Sequence, residues 1–558
     1  MMINSSSDNN EEPSPPAKGR SAEEEETEST SHSELTRWKR HQQHILLIVV
    51  CLLVVGAAVA IGVSLGTKNG STATTEAATA GVSDEWFHDR SWSISGNKED
   101  VLQNGGASPS SSARVVLPTS TNEISKLLSA NQDATVAVVC GGHSSSNVAT
   151  WPFFDDGSQI QTTIIDMKHM SSISVDEKTR EVTVGGGSVF RQLAETCAEA
   201  RGALPIATGD TVGVAGYALN GGTSGYFGRR LGMLGQRVTS LEIVLANGDV
   251  RTLTPDSTGE DGELFLACLG AGSAMGVVTS LTLQMEDESS FRTGGSLVFA
   301  CSDKATARPF LAKALKFMKQ EVLPLQSASM EIVITSDFTV ICSFMFYDTF
   351  DGVPSDFVEP LREHAKECNV PIVADAVTSH ESWFDAASSL WEVIAGLKGD
   401  PLVRMDHCIG TQGVPSDEVD SFLLDRWIGD FLSKAALSLV EIRSLGGAAM
   451  DGNDLSSGNA KCTFFADMVV SYDGSSLGTE EKLSIKKEVK DIIAEAKNHS
   501  ELLVDFSGTH SQSDDPAELL SSGDEIFGSK ENHNFIQSAK RKFDPNNVFR
   551  FHPFTHLM

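Results

Sequence analysis

The sequence lacks a basic surplus. Lysine and arginine together number 43 against 75 aspartates and glutamates, a formal charge of −32. With no broad basic face to meet phosphates, nucleic acid is excluded as a partner, and the acidity reads as solubility. Cysteine is sparse as well. Nine in 558 residues are too few for a disulfide scaffold, and any pairing in an oxidising compartment is not encoded in their spacing. Cys51 lies in an apolar segment and the other eight follow it. No GxxxxGK[ST] loop is present, nor a GxGxxG set between a strand and a helix, so neither a P-loop nor a Rossmann fingerprint is available. Tyrosine occurs only four times, which limits the phenols that chemistry can call on. No cluster of metal-ligating residues suggests a metal. What is present is length, and 40% hydrophobic residues, enough for two or more cored units.

The front of the chain is an address. Residues 1–44 are polar and acidic, with EEPSPP and AEEEETESTS, the composition of a disordered tail. Arg37, Lys39 and Arg40 then precede ILLIVVCLLVVGAAVAIGVSLG, residues 45–66, which carries no charge. As a helix this run is about 33 Å long, sufficient to cross a bilayer. It is too long and uniform for a core helix, and its polar lead is too long for a cleaved signal peptide. The basic flank precedes it, so the expected topology is a single-pass anchor with a cytoplasmic N-terminus and a lumenal or extracellular remainder. Residues 67–107 read as stalk and linker, with Asn69 in NGS a glycosylation acceptor there and Asn498 in NHS another further on.

From residue 108 the pattern changes to short strands, turns and helices, an α+β class. ARVVLP is a strand stopped by Pro118. Ser120 and Glu123 form a capping box for a helix carrying Ile124, Leu127 and Leu128. ATVAVV and TTIIDM are strands, SISVDEKTREVTVGGG is a strand pair, and SVFRQLAETCAEARG is a helix that Gly202 stops. Asn247-Gly248 marks a hairpin. Glycines gather at the ends of these elements, in GGH at 141–143, GGG at 185–187 and VGVAGYALNGGTSGYFG at 212–228. Singly they are turn residues. Together they predict a backbone cradle for an anion such as a pyrophosphate.

Four segments in order carry a family resemblance. They are CGGHSSSN, TGDTVGVAGYALNGGTSGYFGRRLGML, GEDGELFLACLGAGSAMGVVTSLTLQM and KRKFDPNNVFRF. They resemble the flavin-binding segments and the C-terminal DPxNxF signature of FAD-linked oxidases of the berberine bridge enzyme type, in the vanillyl-alcohol oxidase and p-cresol methylhydroxylase superfamily. The resemblance implies a two-part FAD-binding domain of the p-cresol methylhydroxylase type over 108–288 and an α+β substrate domain with an antiparallel sheet over 289–525. A C-terminal segment, 526–558, would return to the FAD domain. It implies FAD contacts from Gly141, Gly142, His143, Ser144 and Asn147, from Gly209, Val212, Gly213, Gly216, Asn220, Gly221, Gly222 and Gly225, and from Val277. It also implies a covalent link from the His143 ring to the 8α-methyl of the isoalloxazine, which makes the flavin a stronger oxidant. Many relatives add a cysteinyl link three residues before the VG pair; Gly209 stands there, so no second link is expected. Leu269 replaces the usual arginine before the last glycine run, and Cys140 reads as packing.

Hydride removal from a carbinol requires a base for the hydroxyl proton. The relatives' Tyr-x-Asn-Tyr segment corresponds to FSGTHSQSDDPAEL, where the tyrosines are gone. His510 and Tyr472 are the candidates for that base, with Asp505 and His407 behind them. The leading expectation is an anchored oxidase that passes hydride from an alcohol-bearing sugar or secondary metabolite to FAD and on to oxygen, giving hydrogen peroxide. A dehydrogenase with another acceptor and a flavin-fold binding module without turnover are the rivals.

Overall fold

The computed structural model describes residues 114–130, 135–143, 162–336, 338–380, 382–389, 391, 402–428, 437–451, 457–473, 479–507 and 523–550. The apolar run 45–66, its basic flank, the stalk and Asn69 lie outside these. Among the described residues no helix is long and apolar enough to cross a membrane.

Three strands, β1 (Arg114–Val116), β2 (Thr135–Val139) and β3 (Thr162–Asp166), form a small parallel sheet in the order β1-β3-β2. Parallel strands need a crossover. The helix Thr121–Ala130 supplies the first, with Ile124, Leu127 and Leu128 buried. The Glu123 amide donates to Ser120 Oγ at 3.4 Å, but its carboxylate accepts from the Thr119 amide at 2.7 Å, one residue earlier than the expected box.

An antiparallel sheet follows, built from β4 (Ile173–Asp176), β5 (Glu181–Gly185), β7 (Val238–Val244), β8 (Val250–Leu253) and β9 (Val277–Gln284) in the order β4-β5-β9-β7-β8. The short β6 (Gly202–Ala203) pairs with β10 (Glu286–Asp287). The β7–β8 hairpin turns at Asn247-Gly248 as the dipeptide predicts. The helix Phe190–Glu199 buries Phe190, Leu193, Ala194 and Cys197. Its left-handed stop is Arg201, φ 52°, not Gly202. Gly202 serves a different need, since a Cβ there would stand 2.6 Å from the Met285 sulfur.

The remaining strands form one eight-stranded antiparallel sheet: β11 (Phe291–Ala300), β12 (Ala328–Thr335), β13 (Thr339–Tyr347), β14 (Ile372–Asp375), β15 (Leu402–Thr411), β16 (Leu437–Ser444), β17 (Phe464–Asp473) and β18 (Leu503–Val504). Their order is β14-β11-β13-β12-β16-β17-β15-β18. Strand alternation sorts the two faces. Met330, Ile332, Cys342, Phe344, Val440, Ile442 and Met468 pack against Phe310 and Leu311 of the helix Lys304–Phe317 and against Val489 and Ile492 of the helix Thr479–Ala496. Each large apolar side chain buried here contributes about 1.5–3 kcal/mol. The opposite face carries Ser329, Glu331, Ser343, Tyr347, Arg443 and Asp467, all buried, and meets the glycine-rich half.

Residues 222–237 are the hub of that meeting. The Tyr226 carbonyl accepts from Ser329 Oγ at 2.9 Å and from Tyr347 Oη at 2.8 Å. Trp383 donates its indole N–H to Leu204 O at 3.1 Å. Arg229 reaches into the eight-stranded half, donating to Ala328 O at 2.9 Å and Leu323 O at 3.2 Å, and also to Leu325 O and Leu445 O.

The C-terminal signature explains itself physically. In the helix Lys530–Phe543, buried Lys540 donates to Asp544 at 2.7 Å, Ala274 O at 2.8 Å and Phe549 O at 2.9 Å. Asp544 in turn accepts from the amides of Val548 and Phe549 at 2.8 and 2.9 Å. The turn so fixed delivers the Val548 carbonyl to the amide of Val136 at 3.0 Å, at the start of the strand that leads to GGH.

Candidate functional site

β2 ends at Val139, and Cys140 to His143 follow as an open loop. Cys140 is packing, as expected: its thiol donates to Ser188 O at 3.3 Å, and burial pushes it up to about 12. Gly141 is required by close approach, because a Cβ there would lie 2.3 Å from the Gly213 nitrogen and 2.4 Å from the Thr211 oxygen. The two glycine-bearing loops therefore lie backbone against backbone. Across this contact, half-buried His143 brings Nε2 to 2.8 Å from Thr211 Oγ1. Ser144 and Asn147 lie outside the described residues.

The second segment is anchored below and open above. Gly209 is buried and its carbonyl receives the Val212 amide at 3.4 Å. Gly213 precedes the helix Val214–Leu219, and the Val214 amide donates to Ser188 O at 3.0 Å. Val212 before this helix, Gly216 within it and Asn220 at its end are each partly exposed. At Gly216 a Cβ would meet nothing within 4 Å. Beneath, the wholly buried Ser188 Oγ has no partner among the described residues. Open space above a helix start, beside an imidazole and an orphaned hydroxyl, fits FAD. Gly221 and Gly222, at φ 97° and 60°, turn the chain back in a conformation that only glycine adopts easily. Gly225 then comes against the eight-stranded sheet, where a Cβ would stand 2.8 Å from Glu331 Oε2 and 2.9 Å from Arg443 Cδ.

One expectation is corrected. The GGG run at 185–187 is no cradle: its three amides donate to Ser172, Thr279 and Met170 carbonyls at 2.8, 2.8 and 3.0 Å, so none is left for an anion. Its glycines permit packing, since a Cβ at Gly187 would lie 1.9 Å from the Met167 oxygen. The Val277 side chain is wholly buried in the core with Ile165, Val244 and Val548, which leaves only its backbone to face a ligand. Leu269 is buried at a kink whose next residue, Gly270, has φ 133°.

The structure brings forward a cluster that no motif marked. Glu331 of β12 and Arg443 of β16 are cross-strand partners, joined Oε1 to Nε at 3.0 Å, and Arg443 also holds Glu441. The guanidinium lies 5.6 Å from the Phe465 ring centre. Burial pushes Glu331 up to about 7; Arg443 opposes this, while Glu441 and Asp467 add to it. Burial works against the Arg443 charge, but Glu441, Glu331 and Asp467 outweigh it and keep the guanidinium protonated. Glu331 Oε2 is buried without a hydrogen-bond partner among the described residues. Three of the four tyrosines lie close by: Tyr217 donates to Thr223 O at 2.6 Å, and burial raises Tyr217, Tyr226 and Tyr347 well above the usual phenol range.

His510 lies outside the described residues. Tyr472 is in β17 with its backbone opposite Val403. His407 and Asp505 do meet, Nδ1 to Oδ1 at 3.1 Å, both buried. His407, however, sits beside its cross-strand neighbour Met468, which packs under the helices. The pair is therefore on the far side of the sheet from Glu331. Among the described residues no group of side chains could hold a metal ion. Only sheet register could have revealed Glu331, because its partner is 112 positions away.

Comparison with known proteins agrees with this geometry. Residues 112–254 match the family model described as FAD binding domain. The FAD-linked oxidoreductase azaL of Aspergillus niger is 31% identical over 158 residues, 28% of this chain and 31% of that protein. The chain spans about a third of the length of the curated relatives it matches in this way. Among solved structures, 6-hydroxy-D-nicotine oxidase from Arthrobacter nicotinovorans aligns with a TM-score of 0.65 at 17% identity, over 81% of this chain and 93% of its own. A chitooligosaccharide oxidase aligns at 0.64 and 16% identity, over 81% and 93%. These likenesses establish the fold, and the resemblance read from the four motifs holds.

Proposed function

We propose, from the FAD-binding domain this chain carries, that the protein is an FAD-dependent oxidase of alcohol-bearing small molecules, held to a membrane by residues 45–66. The observation that carries this reading is the His143 loop at the end of β2, packed backbone to backbone on the 209–213 segment beside the open face of Val212, Gly216 and Asn220. His143 forms the covalent link, and no cysteine stands at Gly209 to form a second. FAD, when bound, accepts the hydride and passes the electron pair to oxygen, yielding hydrogen peroxide. The chain's own part is to hold the cofactor and to manage a proton. Glu331 takes the substrate's hydroxyl proton, since its raised pKa of about 7 suits a base at neutral pH and its unpartnered oxygen faces the 222–228 segment. Arg443 fixes that carboxylate through the other oxygen and limits how far burial can raise it. The names of two fold relatives, a nicotine oxidase and a chitooligosaccharide oxidase, support a small-molecule donor and oxygen as acceptor. The membrane anchor rests on the uncharged run and its preceding basic flank alone; tagging each end and digesting intact vesicles tests it.

The deciding experiment is a donor screen on the purified ectodomain. Sugars and secondary alcohols are added without air, flavin bleaching is followed, and peroxide is counted after oxygen is admitted. One peroxide per donor oxidised is the expected result. Bleaching without peroxide would make the protein a dehydrogenase, and no bleaching with any donor would leave a binding module. Glu331→Gln should lower the bleaching rate by about 10²–10⁴-fold while leaving the flavin bound.

A further inference from the structure

The ring of His143 is held by Thr211, which lies within the second glycine-rich segment but carries no role in its motif. Its Nε2 lies 2.8 Å from Oγ1 of Thr211, and the main chain around Thr211 is unusually well fixed for a loop. Arg191 donates from Nε and Nη2 to Asp210 Oδ2 at 3.0 and 2.6 Å. The Arg191 amide donates to Asp210 O at 2.7 Å and the Phe190 amide to Val212 O at 3.1 Å. The Arg191 guanidinium in turn lies 4.8 Å from the ring centre of Trp391, so the loop is tied to the helix Phe190–Glu199 and to the substrate half at once. On the other side the Gly141 backbone packs close, for a Cβ there would stand 2.4 Å from the Thr211 oxygen.

A neutral imidazole has two tautomers and can flip about its Cβ–Cγ bond, so a histidine that must react through one chosen nitrogen needs something to choose it. We propose that Thr211 is the positioning residue for the flavin link: its hydroxyl holds Nε2 of His143 and thereby presents Nδ1 to the 8α carbon. The inference rests on the covalent reading above. With Nε2–H donating to Thr211, the lone pair stands on Nδ1. The Nδ1–C8α bond forms as one 8α C–H bond breaks and gives up its proton. The ring system keeps the electron pair, and the Nε2 proton leaves beside the Thr211 hydroxyl. Oxygen takes the pair and both protons as hydrogen peroxide, returning the linked flavin to its oxidised state. The well-anchored 209–213 loop thus does by hydrogen bonding part of the orienting that a second covalent link would do.

The test uses the FAD-free full-length protein, purified in detergent and mixed with FAD in air, sampling over time the flavin that remains with acid-precipitated protein. Wild type should become fully linked, and His143→Ala should bind FAD reversibly without linking. Thr211→Val should bind FAD but link about tenfold more slowly, the rate equivalent of roughly 1.4 kcal/mol of lost hydrogen bonding. Thr211→Ser, which keeps the hydroxyl, should restore the rate. Thr211→Val linking as fast as wild type would overturn the inference while leaving the covalent reading intact; wild type with no linked flavin would instead sink that reading. A second measurement needs no variant at all. NMR of the flavinylated His143 peptide should place the link on Nδ1, and a link on Nε2 would overturn the proposal.

Discussion

Replacing Arg229 by methionine should unfold much of what joins the two halves of this protein. Arg229 is 3% exposed, burial lowers its pKa, and its guanidinium donates only to main-chain carbonyls among the described residues: those of Ala328, Leu323, Leu325 and Leu445, with Val322 at 3.5 Å at the limit. Methionine fills a similar length but donates nothing. Each buried carbonyl left without a donor costs about 1–3 kcal/mol, so four set a loss of about 4 kcal/mol at the least favourable bookkeeping for the argument. Sparing the desolvation of one charge offsets part of this. Against a native stability of roughly 5–15 kcal/mol, the remainder is large. Lysine offers three donors and no fork, so Arg229→Lys should fall between the two. Urea titration followed by tryptophan fluorescence gives the order wild type, lysine, methionine, with the slope unchanged. A methionine variant within about 0.5 kcal/mol of wild type, or above the lysine variant, would mean that desolvation dominates and that the carbonyls find water.

Glu331 makes a pH prediction on stability as well as rate. Its folded pKa, about 7, lies above the ordinary 4.5, so the folded state holds the proton more tightly; this contribution is full below about 4.5 and is lost as pH rises through about 7. Urea midpoints measured across that window should fall with pH in wild type by more than in Glu331→Gln, and equal slopes would refute the assignment. Lys540→Met leaves Asp544 buried without its counter-charge and should cost about 3–5 kcal/mol. The same urea titration reads that loss, and flavin retention should fall with it because the turn that reaches Val136 is loosened.

The hairpins and the helix faces were legible because their signals are local. Asn247-Gly248 specifies its turn whatever surrounds it, and Phe190, Ala194 and Cys197 repeat at helical spacing. Glycine was legible as a residue that something approaches, but not what approaches. At 185–187 it is the backbone of 167–172 and of Val278, at 141 another loop, and at 216 open space, three outcomes from one chemistry. Glu331 was invisible for the opposite reason. A carboxylate in an apolar strand reads as the solvent side of an alternation; only the pairing of β12 with β16 and the arrival of Gly225 turn it into a buried base with a guanidinium beside it. His407 has the residue type of a base, but strand parity turns it to the helices. Arg201 takes the left-handed position that the neighbouring glycine was expected to fill, because Gly202 is needed where Met285 packs.

The hydrogen bond from Val136 to Val548 has a bearing on how the GGH loop is held. The strand that leads to the histidine gains an edge partner from a stretch that lies far along the chain, beyond every strand of the eight-stranded sheet. Until the DPNNVF turn has folded back, that strand lacks its partner, however early its glycines were synthesised. Any change that stops Asp544 from closing the turn should therefore loosen the histidine loop from a distance.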